Sequence, residues 1–371
     1  MKISGCVIAR NEEANIAKCI NSLKCVADEV IVVDTGSEDK TIQIAEELGA
    51  IVYKHKWEND FSEAKNAALD HASGDWIIFL DADEYFKEDS LPKIRAIIQE
   101  ADSEHNIEGL SCEIRNIDTD SGKIISNNNA LRIFRSGRKT RFVNKIHEEV
   151  RNGGKPLRCI NIQGMISIIH TGYSSCLKES KAKRNLELLL ANPEDEKSAY
   201  YLATTYYILY DYDNAIKYAD RALSLESITR YDYLAYKMHL IKIRVAMTVQ
   251  NSGNEKIQSL IEEAKQNYGA HPEIVAAEAA FLLREKHFGK ALEKFKEALD
   301  CQEKYGKNFA QNDFPATVDE NYYNIAQILY QMNREADALS FLVKTLSANK
   351  YHRNAFKSML ALFAGIPEKE T

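Results

Sequence analysis

The chain has little that would place it among disulfide-rich, membrane-spanning or nucleic-acid-binding proteins. Its seven cysteines are scattered, and none of them form a C-x-x-C pair. This argues against a disulfide framework or a zinc site and favours reduced, cytosolic thiols. No run of about 18 apolar residues occurs, so no segment is expected to span a bilayer. The net charge of -7 argues against general nucleic-acid binding, for which a basic face is expected.

Two nucleotide-binding motifs are also missing. Neither G-x-G-x-x-G nor G-x-x-x-x-G-K-[ST] occurs, which argues against a dinucleotide-binding fold and a P-loop NTPase. The amino terminus has only a short apolar stretch before Arg10, which is neither a signal peptide nor a membrane span. With 371 residues, 45% of them hydrophobic and 28% charged, we expect a soluble, cytoplasmic protein of two domains.

The first half alternates short apolar runs with amphipathic helical segments. This pattern predicts an α/β domain with a mainly parallel sheet that helices cover on both faces. Ser37 is the candidate N-cap of the second helix, and Thr119–Gly122 is a predicted turn. The predicted strands are residues 3–9, 30–33, 50–53, 76–80, 110–117, 131–135 and 165–169.

Polar side chains follow several of these strands at the point where each strand ends. Arg10 and Asn11 follow the first strand, Asp34 follows the second, and Asp81 and Asp83 follow the strand that starts at Trp76. Ligands of such sheets bind beyond the carboxyl ends of the strands. We therefore expect these separated residues to converge on one nucleotide site. The alternative for Asp34 is to cap the next helix.

The sequence Asp81-Ala82-Asp83 indicates a metal site. Alternation along an extended backbone would point both carboxylates to the same side. Two like charges at a buried strand end repel each other and lose hydration, so they favour a bound cation. Mg²⁺ or Mn²⁺ suits oxygen ligands and usually arrives with a phosphate. The alternative is a solvated acidic turn that closes the strand.

Four segments together carry a family resemblance. Residues 8–13, 32–37, 60–66 and 80–84 have the sequences IARNEE, VVDTGS, DFSEAKN and LDADE. In this order they resemble the family 2 inverting glycosyltransferases of the GT-A fold. The resemblance implies a nucleotide-sugar donor, usually a UDP-sugar.

By this resemblance, Asp34 would contact the base and Lys65 the uridine-diphosphate side, at a position that is often Arg in relatives. Asp81 would lie near the ribose and the metal ion, and Asp83 would be a direct metal ligand. Arg132 and Arg135, predicted on one face of a strand, would either decorate a wet sheet face or clamp a diphosphate. The predicted nucleotide-sugar site comprises Ala9, Arg10, Asn11, Glu12, Asp34, Lys65, Asp81, Ala82, Asp83, Arg132 and Arg135.

A candidate catalytic base follows farther along the chain. Inverting transfer to an anomeric carbon needs a carboxylate that takes the acceptor proton and a cation that holds the leaving diphosphate. In the resembling subfamily an Ile/Val-His-Glu sequence follows an Arg-x-Phe-Arg strand, and its glutamate supplies the base. This implies Glu148, with Glu149 as the second choice. The alternative is that both glutamates decorate an exposed strand.

His170 directly follows another apolar run. A single histidine is more often structural than a ligand. The resemblance, in which an x-His-x-Gly-Tyr sequence closes the catalytic domain, makes His170 a third metal or diphosphate ligand beside Asp81 and Asp83. His147 is the competing candidate.

The second half has a helical period and no strand pattern. Residues 200–225 are predicted as a helical hairpin, and its spacing of small and apolar residues recurs from Ile257 to Ala291 at an interval of 34 residues, the tetratricopeptide period. We predict about four divergent repeats and a capping helix over 355–363. The predicted domains are a transferase domain over 1–178, a linker helix over 179–192 and a repeat domain that begins near Pro193 and covers 193–371.

Stacked repeats form a curved surface that suits an extended peptide or another subunit. A family 2 domain fused to such repeats resembles bacterial enzymes that glycosylate Ser or Cys of peptides, including S-glycosyltransferases of glycopeptide bacteriocins. We therefore expect a metal-dependent transferase that uses a UDP-sugar with Mg²⁺ or Mn²⁺ and a peptide or protein acceptor, such as a bacteriocin precursor. The alternatives are glucose transfer to a surface polysaccharide or lipopolysaccharide core, a non-catalytic nucleotide-sugar-binding scaffold, and a nucleotidyltransferase. The repeats could instead form a homodimer.

Overall fold

The computed structural model describes residues 1–119, 124–172, 178–191, 197–249, 253–305, 311–312 and 315–364. The chain divides into two compact units, the first formed by residues 1–119 with 127–177 and the second mainly by residues 178–371. Residues 120–122 of the predicted turn and Pro193 lie outside the described residues. None of the described helices combines the length and the apolar character that crossing a membrane requires.

The first unit alternates strands and helices over its first 103 residues and is then mostly strand. Its helices are α1 (Ile16–Lys24), α2 (Thr41–Glu47), α3 (Phe61–His71) and α4 (Leu91–Ser103). Its strands are β1 (Ile3–Ala9), β2 (Glu29–Asp34), β3 (Ile51–Lys54), β4 (Trp76–Asp81), β5 (Glu84–Phe86), β6 (Gly109–Ile117), β7 (Ile124–Arg135), β8 (Thr140–Val143), β9 (Glu149–Asn152), β10 (Lys155–Pro156), β11 (Cys159–Asn161) and β12 (Ser167–His170).

The main sheet has the strand order β3-β2-β1-β4-β7-β6-β12-β5. Strands β3, β2, β1 and β4 are mutually parallel, whereas β7 runs antiparallel to β4 and β12 runs parallel to β6 and antiparallel to β5. The sheet is therefore mixed and mostly parallel, and the predicted α/β, Rossmann-like class is confirmed. Strands β8, β9 and β10 form a separate small antiparallel sheet.

Apolar side chains cover both faces of the main sheet. On one face, Ile20 of α1 and Ile98 of α4 belong to the same buried cluster as Val7 and Leu80. On the other face, Ala68 of α3 and Phe142 of β8 belong to the cluster that contains Phe79. The central strands are buried on both sides, which explains their nearly continuous apolar sequence.

The predicted cap of the second helix was wrong. Helix α2 begins at Thr41 instead of near Ser37, and the Thr41 backbone N–H donates to Asp39 Oδ1 at 2.9 Å. The Ser37 hydroxyl instead accepts a hydrogen bond from the backbone N–H of Asn11 at 2.9 Å. Ser37 therefore links two loops at the edge of the sheet.

The second unit consists of helical pairs, in keeping with the predicted tetratricopeptide-like organisation. Its elements are α5 (Lys178–Ala191), α6 (Ser198–Ile208), α7 (Tyr212–Leu223), α8 (Glu226–Thr229), α9 (Asp232–Thr248), α10 (Asn254–Tyr268), α11 (Pro272–Arg284), α12 (Phe288–Tyr305), the two-residue strand β13 (Gln311–Asn312), α13 (Pro315–Gln331), α14 (Glu335–Ala348) and α15 (Arg353–Ala364). Four helices bury the positions that recur in the sequence. These are Ala215, Ala219, Ala222, Ile257, Ile261, Ala264, Ala291, Phe295, Ala298, Ala338, Leu342 and Thr345.

Candidate active site

Three of the predicted site residues lie side by side at the carboxyl edge of the parallel strands. In the register of the sheet, Ala9 of β1 pairs with Asp34 of β2, and Ile8 pairs with Asp81 of β4. Strands β2 and β4 end at the predicted residues Asp34 and Asp81, and β1 ends at Ala9, directly before Arg10. The structure therefore brings Ala9, Asp34 and Asp81 together.

The two carboxylate oxygens of Asp34 differ in their hydrogen bonding. The side chain is 2% exposed, and its Oδ2 accepts hydrogen bonds from the backbone N–H groups of Gly36 at 2.9 Å and Ser37 at 3.0 Å. Its Oδ1 is buried and has no hydrogen-bond partner among the described residues. Because an unsatisfied buried acceptor is costly, this oxygen is suited to accept a hydrogen bond from a ligand.

The loop after β1 is tied to the loop after β2. Asn11, at a left-handed φ of 54°, accepts a hydrogen bond on Oδ1 from the Glu38 backbone N–H at 2.8 Å. The Glu12 backbone N–H donates to Thr41 Oγ1 at 2.8 Å. Arg10 is exposed at the same rim. In this structure Asn11 and Glu12 shape the rim through contacts with the neighbouring loop.

Charged side chains at this edge of the sheet form a network of ion pairs. Lys65 on α3, only 2% exposed, places Nζ 2.8 Å from Asp81 Oδ1 and 2.5 Å from Glu148 Oε1. Arg132 on β7 donates to Asp81 Oδ2 and to Glu84 Oε2, both at 2.8 Å. Asp81 thus has one cation on each carboxylate oxygen, and Lys65 joins Asp81 to Glu148.

This network sets the protonation states of its members. Burial alone would raise the pKa of Glu148, but the charge of the Lys65 ammonium, its hydrogen bond and a backbone hydrogen bond together outweigh burial and hold that pKa below its usual range. Burial opposes the charge on Lys65 as well, yet the Asp81 and Glu148 carboxylates raise its pKa. Glu148 is therefore ionised at neutral pH, the state that a general base requires.

Aromatic rings enclose the ammonium of Lys65. Its Nζ lies 5.1 Å from the centre of the Phe79 ring and 5.4 Å from that of Phe142. These rings exclude water and add cation–π attraction. The resemblance assigned Lys65 to the diphosphate, but the structure uses its charge inside the protein to hold two carboxylates.

Asp83 and His170 form a second, adjacent polar group. His170 at the end of β12 pairs with Glu84 of β5 in the sheet, and its Nε2 lies 3.4 Å from Asp83 Oδ1. Its Nδ1 is 2.7 Å from Asn116 Oδ1, an atom that can only accept, so Nδ1 carries the hydrogen. In the neutral ring this directs the lone pair of Nε2 toward Asp83.

The pair has the character of a divalent metal site. Burial lowers the pKa of His170, but a hydrogen bond from Nε2 of the protonated ring to Asp83 and the charges of nearby carboxylates prevail and raise that pKa. Carboxylate oxygen suits Mg²⁺ and Mn²⁺, and imidazole nitrogen is a common metal ligand. A second partner that fixes the imidazole tautomer, here Asn116, is the usual companion of a metal-binding histidine. Asp83 and His170 therefore fit a Mg²⁺ or Mn²⁺ ion.

The expectation that Asp81 and Asp83 point to the same side was wrong. The strand ends at Asp81 and the chain turns at Ala82 and Asp83, so the alternation of an extended strand no longer applies. Asp81 faces Lys65 and Arg132, and Asp83 faces His170. Ala82 between them is buried.

Asp81, Asp83 and His170 do not form a group whose ligand atoms all lie within 4.8 Å of one another, and the assignment of all three as metal ligands stays a prediction. Among the described residues, the one group of three or more possible ligands whose atoms all lie within 4.8 Å of one another is Asp319, Glu320 and His352 in the second unit. There, His352 Nδ1 accepts a hydrogen bond from the Ala355 backbone N–H at 3.1 Å. The hydrogen of the neutral ring then occupies Nε2, which faces Glu320 and has no lone pair to offer a metal. We interpret this group as a cap of α15.

The predicted pairing of Arg132 with Arg135 at a diphosphate was also wrong. Arg135 pairs in register with Trp76, at the opposite end of β4 from Asp81. Its guanidinium lies 4.7 Å from the centre of the Trp76 ring and donates to Asp102 Oδ1 at 2.6 Å and to the Ala101 carbonyl at 2.9 Å. Arg135 stabilises the end of α4, and of the two arginines only Arg132 reaches the site.

The structure separates the two candidate bases. Glu148 contacts Lys65 inside the charge network, whereas Glu149 is the first residue of β9 and lies 3.3 Å from the half-exposed Arg151. His147, the competing metal candidate, has a left-handed φ of 55° in the same loop. Glu148 is thus the glutamate that the fold places beside Asp81 and Lys65.

Two residues of the site, Glu84 and Asn116, were not predicted from the sequence. Glu84 is 1% exposed and takes two hydrogen bonds from Arg132, and Asn116 orients His170. The sequence signal for Glu84 was its position directly after Asp83. Asn116 gave no signal, because its role depends on the pairing of β6 with β12.

Comparison with known proteins identifies this unit. The model of the Glycosyl transferase family 2 matches residues 4–154, a range that contains Asp34, Lys65, Asp81 and Glu148. The first unit carries a family 2 glycosyltransferase domain. The match ends before His170, so this histidine lies in a segment of the unit beyond the matched range.

Individual relatives extend the similarity. The SPbeta prophage-derived glycosyltransferase SunS of Bacillus subtilis (strain 168) is 30% identical over 227 residues, which are 59% of this chain and 52% of SunS. A TPR repeat-containing protein of Synechococcus elongatus is 36% identical over 149 residues, which are 40% of this chain and 35% of that protein. The chain spans about half the length of SunS.

One solved structure resembles a part of the chain. Glucosyl-3-phosphoglycerate synthase from Mycobacterium tuberculosis, in complex with Mn²⁺, uridine-diphosphate and glucosyl-3-phosphoglycerate, is 27% identical. The similarity covers 31% of this chain and 44% of that chain, with a TM-score of 0.27.

Proposed function

We propose that the protein is a metal-dependent, inverting glycosyltransferase that moves a sugar from a UDP-sugar to a Ser or Cys side chain of a peptide or protein. The observation that carries this proposal is the charge network of the transferase domain, in which Lys65 holds Glu148 ionised beside Asp81. An ionised, largely buried carboxylate at the carboxyl edge of the sheet is the group that inverting transfer needs.

The donor would bind along this edge. Asp34 Oδ1 would accept a hydrogen bond from the nucleobase of the donor, since this oxygen is buried and has no hydrogen-bond partner among the described residues. Asp81, whose side chain is 35% exposed, is the member of the network open to the ribose. Asp83 and His170 would hold Mg²⁺ or Mn²⁺. When bound, the ion would neutralise the charge that develops on the diphosphate.

The reaction that follows from this arrangement is a single displacement. The acceptor oxygen or sulfur forms a bond to the anomeric carbon, while the bond from that carbon to the diphosphate oxygen breaks. The electrons of the broken bond leave with UDP, and the acceptor proton moves to a carboxylate oxygen of Glu148. Attack from the face opposite the leaving group inverts the configuration. Lys65 keeps Glu148 in place and ionised before each turnover.

The architecture of the helical unit favours an extended peptide or protein as the acceptor. Its helical pairs bury one recurring face each, the organisation of repeat proteins that bind extended partners on a concave surface. Clustered tyrosines such as Tyr206, Tyr207 and Tyr212 are only partly buried, and aromatic side chains of this kind are frequent in protein interfaces. These features favour a peptide or protein over a small acceptor.

One experiment tests the whole proposal. The 371-residue chain is screened by thermal shift against nucleotide sugars with and without Mn²⁺. The donor that stabilises it most is then incubated with candidate peptides for mass spectrometry. We expect metal-dependent stabilisation by a UDP-sugar, since a ligand that binds only the folded state raises its stability. We also expect a peptide adduct of one sugar mass. Metal-dependent binding without donor hydrolysis or transfer would instead identify a scaffold.

The proposed contact between Asp34 and the nucleobase can be tested separately with Asp34→Asn. The asparagine amide can keep an oxygen toward Gly36 and Ser37, but it then presents an NH₂ group where Oδ1 lies now. A donor opposed by another donor costs about 1–3 kcal/mol. We therefore expect UDP to bind about 10–100-fold more weakly by isothermal titration calorimetry. Glu38→Gln, an equal change of charge on an exposed side chain of the same loop, should leave the affinity unchanged. Equal affinities of Asp34→Asn and Glu38→Gln for UDP would show that Asp34 does not contact the nucleobase.

A further inference from the structure

The start of helix α3 contacts the segment that carries Glu148. Residues 144–148 connect β8 to β9, and the strands close this connection through the pair Val143 and Glu149. Within it, Asn144 and His147 have left-handed φ values of 73° and 55°. Such conformations cost free energy in residues other than glycine and persist only where surrounding contacts enforce them. The connection therefore needs an external support.

That support comes from the sequence motif of residues 60–66. The Ser62 hydroxyl donates to the Asn144 carbonyl at 2.5 Å, and the Phe61 backbone N–H donates to the Lys145 carbonyl at 2.9 Å. Ser62 is only 6% exposed. Two consecutive carbonyls of the connection are thus fixed by the first turn of one helix.

Asn66 holds the strand that leads into this connection. Its Nδ2 donates to the Phe142 carbonyl, and its Oδ1 accepts from the Phe142 backbone N–H, both at 2.9 Å. The amide of Asn66 thus imitates a neighbouring strand on one side of β8, while β9 pairs on the other side. Aspartate has nearly the same shape but no hydrogen to donate.

Lys65 completes the set at the far end of the connection, with Nζ 2.5 Å from Glu148 Oε1. Four residues of the motif, Phe61, Ser62, Lys65 and Asn66, therefore contact the segment 142–148 at four successive places. Glu63, between them in sequence, is exposed and serves as a matched control position.

We propose that Ser62 and Asn66 are positioning residues that fix Glu148, the proposed base, at the reacting centre. The inference rests on the proposed function for the role of Glu148, although the contacts themselves do not. It assigns to the start of α3 a task other than contact with the donor diphosphate. A misplaced base loses efficiency steeply, because an error of about 1 Å can cost about 100-fold in rate.

The test compares Ser62→Ala, Asn66→Asp and the control Glu63→Ala in the 371-residue chain. We expect kcat for transfer to fall about 10–100-fold in Asn66→Asp and by a smaller factor in Ser62→Ala. The KM for the donor and the affinity for UDP should stay near the original values, and Glu63→Ala should match the unmodified protein. A parallel loss of UDP affinity in Ser62→Ala and Asn66→Asp would overturn the proposal in favour of a diphosphate contact.

A double-variant cycle separates positioning from general structural damage. Because the two residues act through Glu148, adding Asn66→Asp to Glu148→Gln should lower the remaining rate no further. An additional loss as large as that of Asn66→Asp alone would show that the residue acts independently of Glu148, which contradicts the proposal.

Hydrogen–deuterium exchange provides a readout that does not depend on turnover. Peptides that cover residues 142–150 should exchange faster in Asn66→Asp and Ser62→Ala than in Glu63→Ala, while the rest of the sheet is unchanged. Unchanged exchange there would overturn the positioning role even in an active enzyme. Faster exchange in a chain that transfers no sugar from any donor would instead contradict the proposed function and leave the support of the connection intact.

Discussion

Replacing Glu148 with glutamine is expected to lower kcat for sugar transfer by about 10²–10⁴-fold, the range that general-base catalysis contributes. Glutamine keeps the shape of the side chain but cannot take the acceptor proton. Lys65 remains paired with Asp81 at 2.8 Å, so the buried ammonium keeps one counter-charge. Initial rates of transfer and calorimetric titration with the UDP-sugar are the measurements.

Donor affinity is the internal control of this experiment. The proposed contact with the nucleobase of the donor is made by Asp34 on β2, in a different part of the site from Glu148. The dissociation constant of the UDP-sugar should therefore change little. Glu149→Gln is the matched variant, because Glu149 is the neighbouring residue and pairs with Arg151 outside the charge network. If Glu149→Gln abolished transfer while Glu148→Gln did not, the base would be assigned to the wrong glutamate. A loss of donor binding in Glu148→Gln would indicate a structural role.

The edge of the sheet was predictable because one rule governs it. Parallel strands present their carboxyl ends on the same edge, so Asp34 and Asp81, at the ends of the two strands that flank β1, lie on that edge. The strands were recognisable because burial on both faces requires nearly continuous apolar sequence. Local pattern and global fold agree at these positions.

The errors arose where that regularity ends. Arg132 and Arg135 are three positions apart, and a period of two places such residues on opposite faces of a strand, so the expectation of a shared face misapplied the strand period. In addition, β7 runs antiparallel to β4, which places Arg135 beside the start of that strand. For Asp83, the chain had already left the strand, and its direction depends on a turn.

Long-range pairing determines the remaining residues. A lysine near the start of a helix normally opposes the helix dipole and is expected at the surface. Lys65 is instead buried, because two carboxylates distant in sequence, Asp81 and Glu148, compensate its charge. Likewise, Asn116 reaches His170 only through the pairing of β6 with β12. Such partners depend on the tertiary structure and not on the sequence nearby.

Removing the carboxylate of Asp83 is expected to have the second large effect, on metal affinity. Asp83→Ala should weaken Mn²⁺ binding in the presence of UDP by about 100-fold or more. The reason is that loss of even an outer partner of a metal ligand costs about 10–100-fold, and Asp83 is proposed to bind the ion directly. Electron paramagnetic resonance of free Mn²⁺ measures this affinity without reference to turnover.

Asn116→Leu tests whether the imidazole tautomer contributes to the same site. Without Asn116 Oδ1, the hydrogen of the His170 ring is no longer held on Nδ1, and we expect Mn²⁺ affinity to fall about 10–100-fold. Excess Mn²⁺ should then restore transfer in Asn116→Leu more readily than in Asp83→Ala. Glu88→Ala removes an exposed carboxylate five positions after Asp83 and should leave metal affinity unchanged. If Asp83→Ala bound Mn²⁺ as tightly as Glu88→Ala does, the pair formed by Asp83 and His170 would not be the metal site. The distance of 3.4 Å between His170 Nε2 and Asp83 Oδ1 would then reflect an ion pair that connects the end of β12 with the turn after β4.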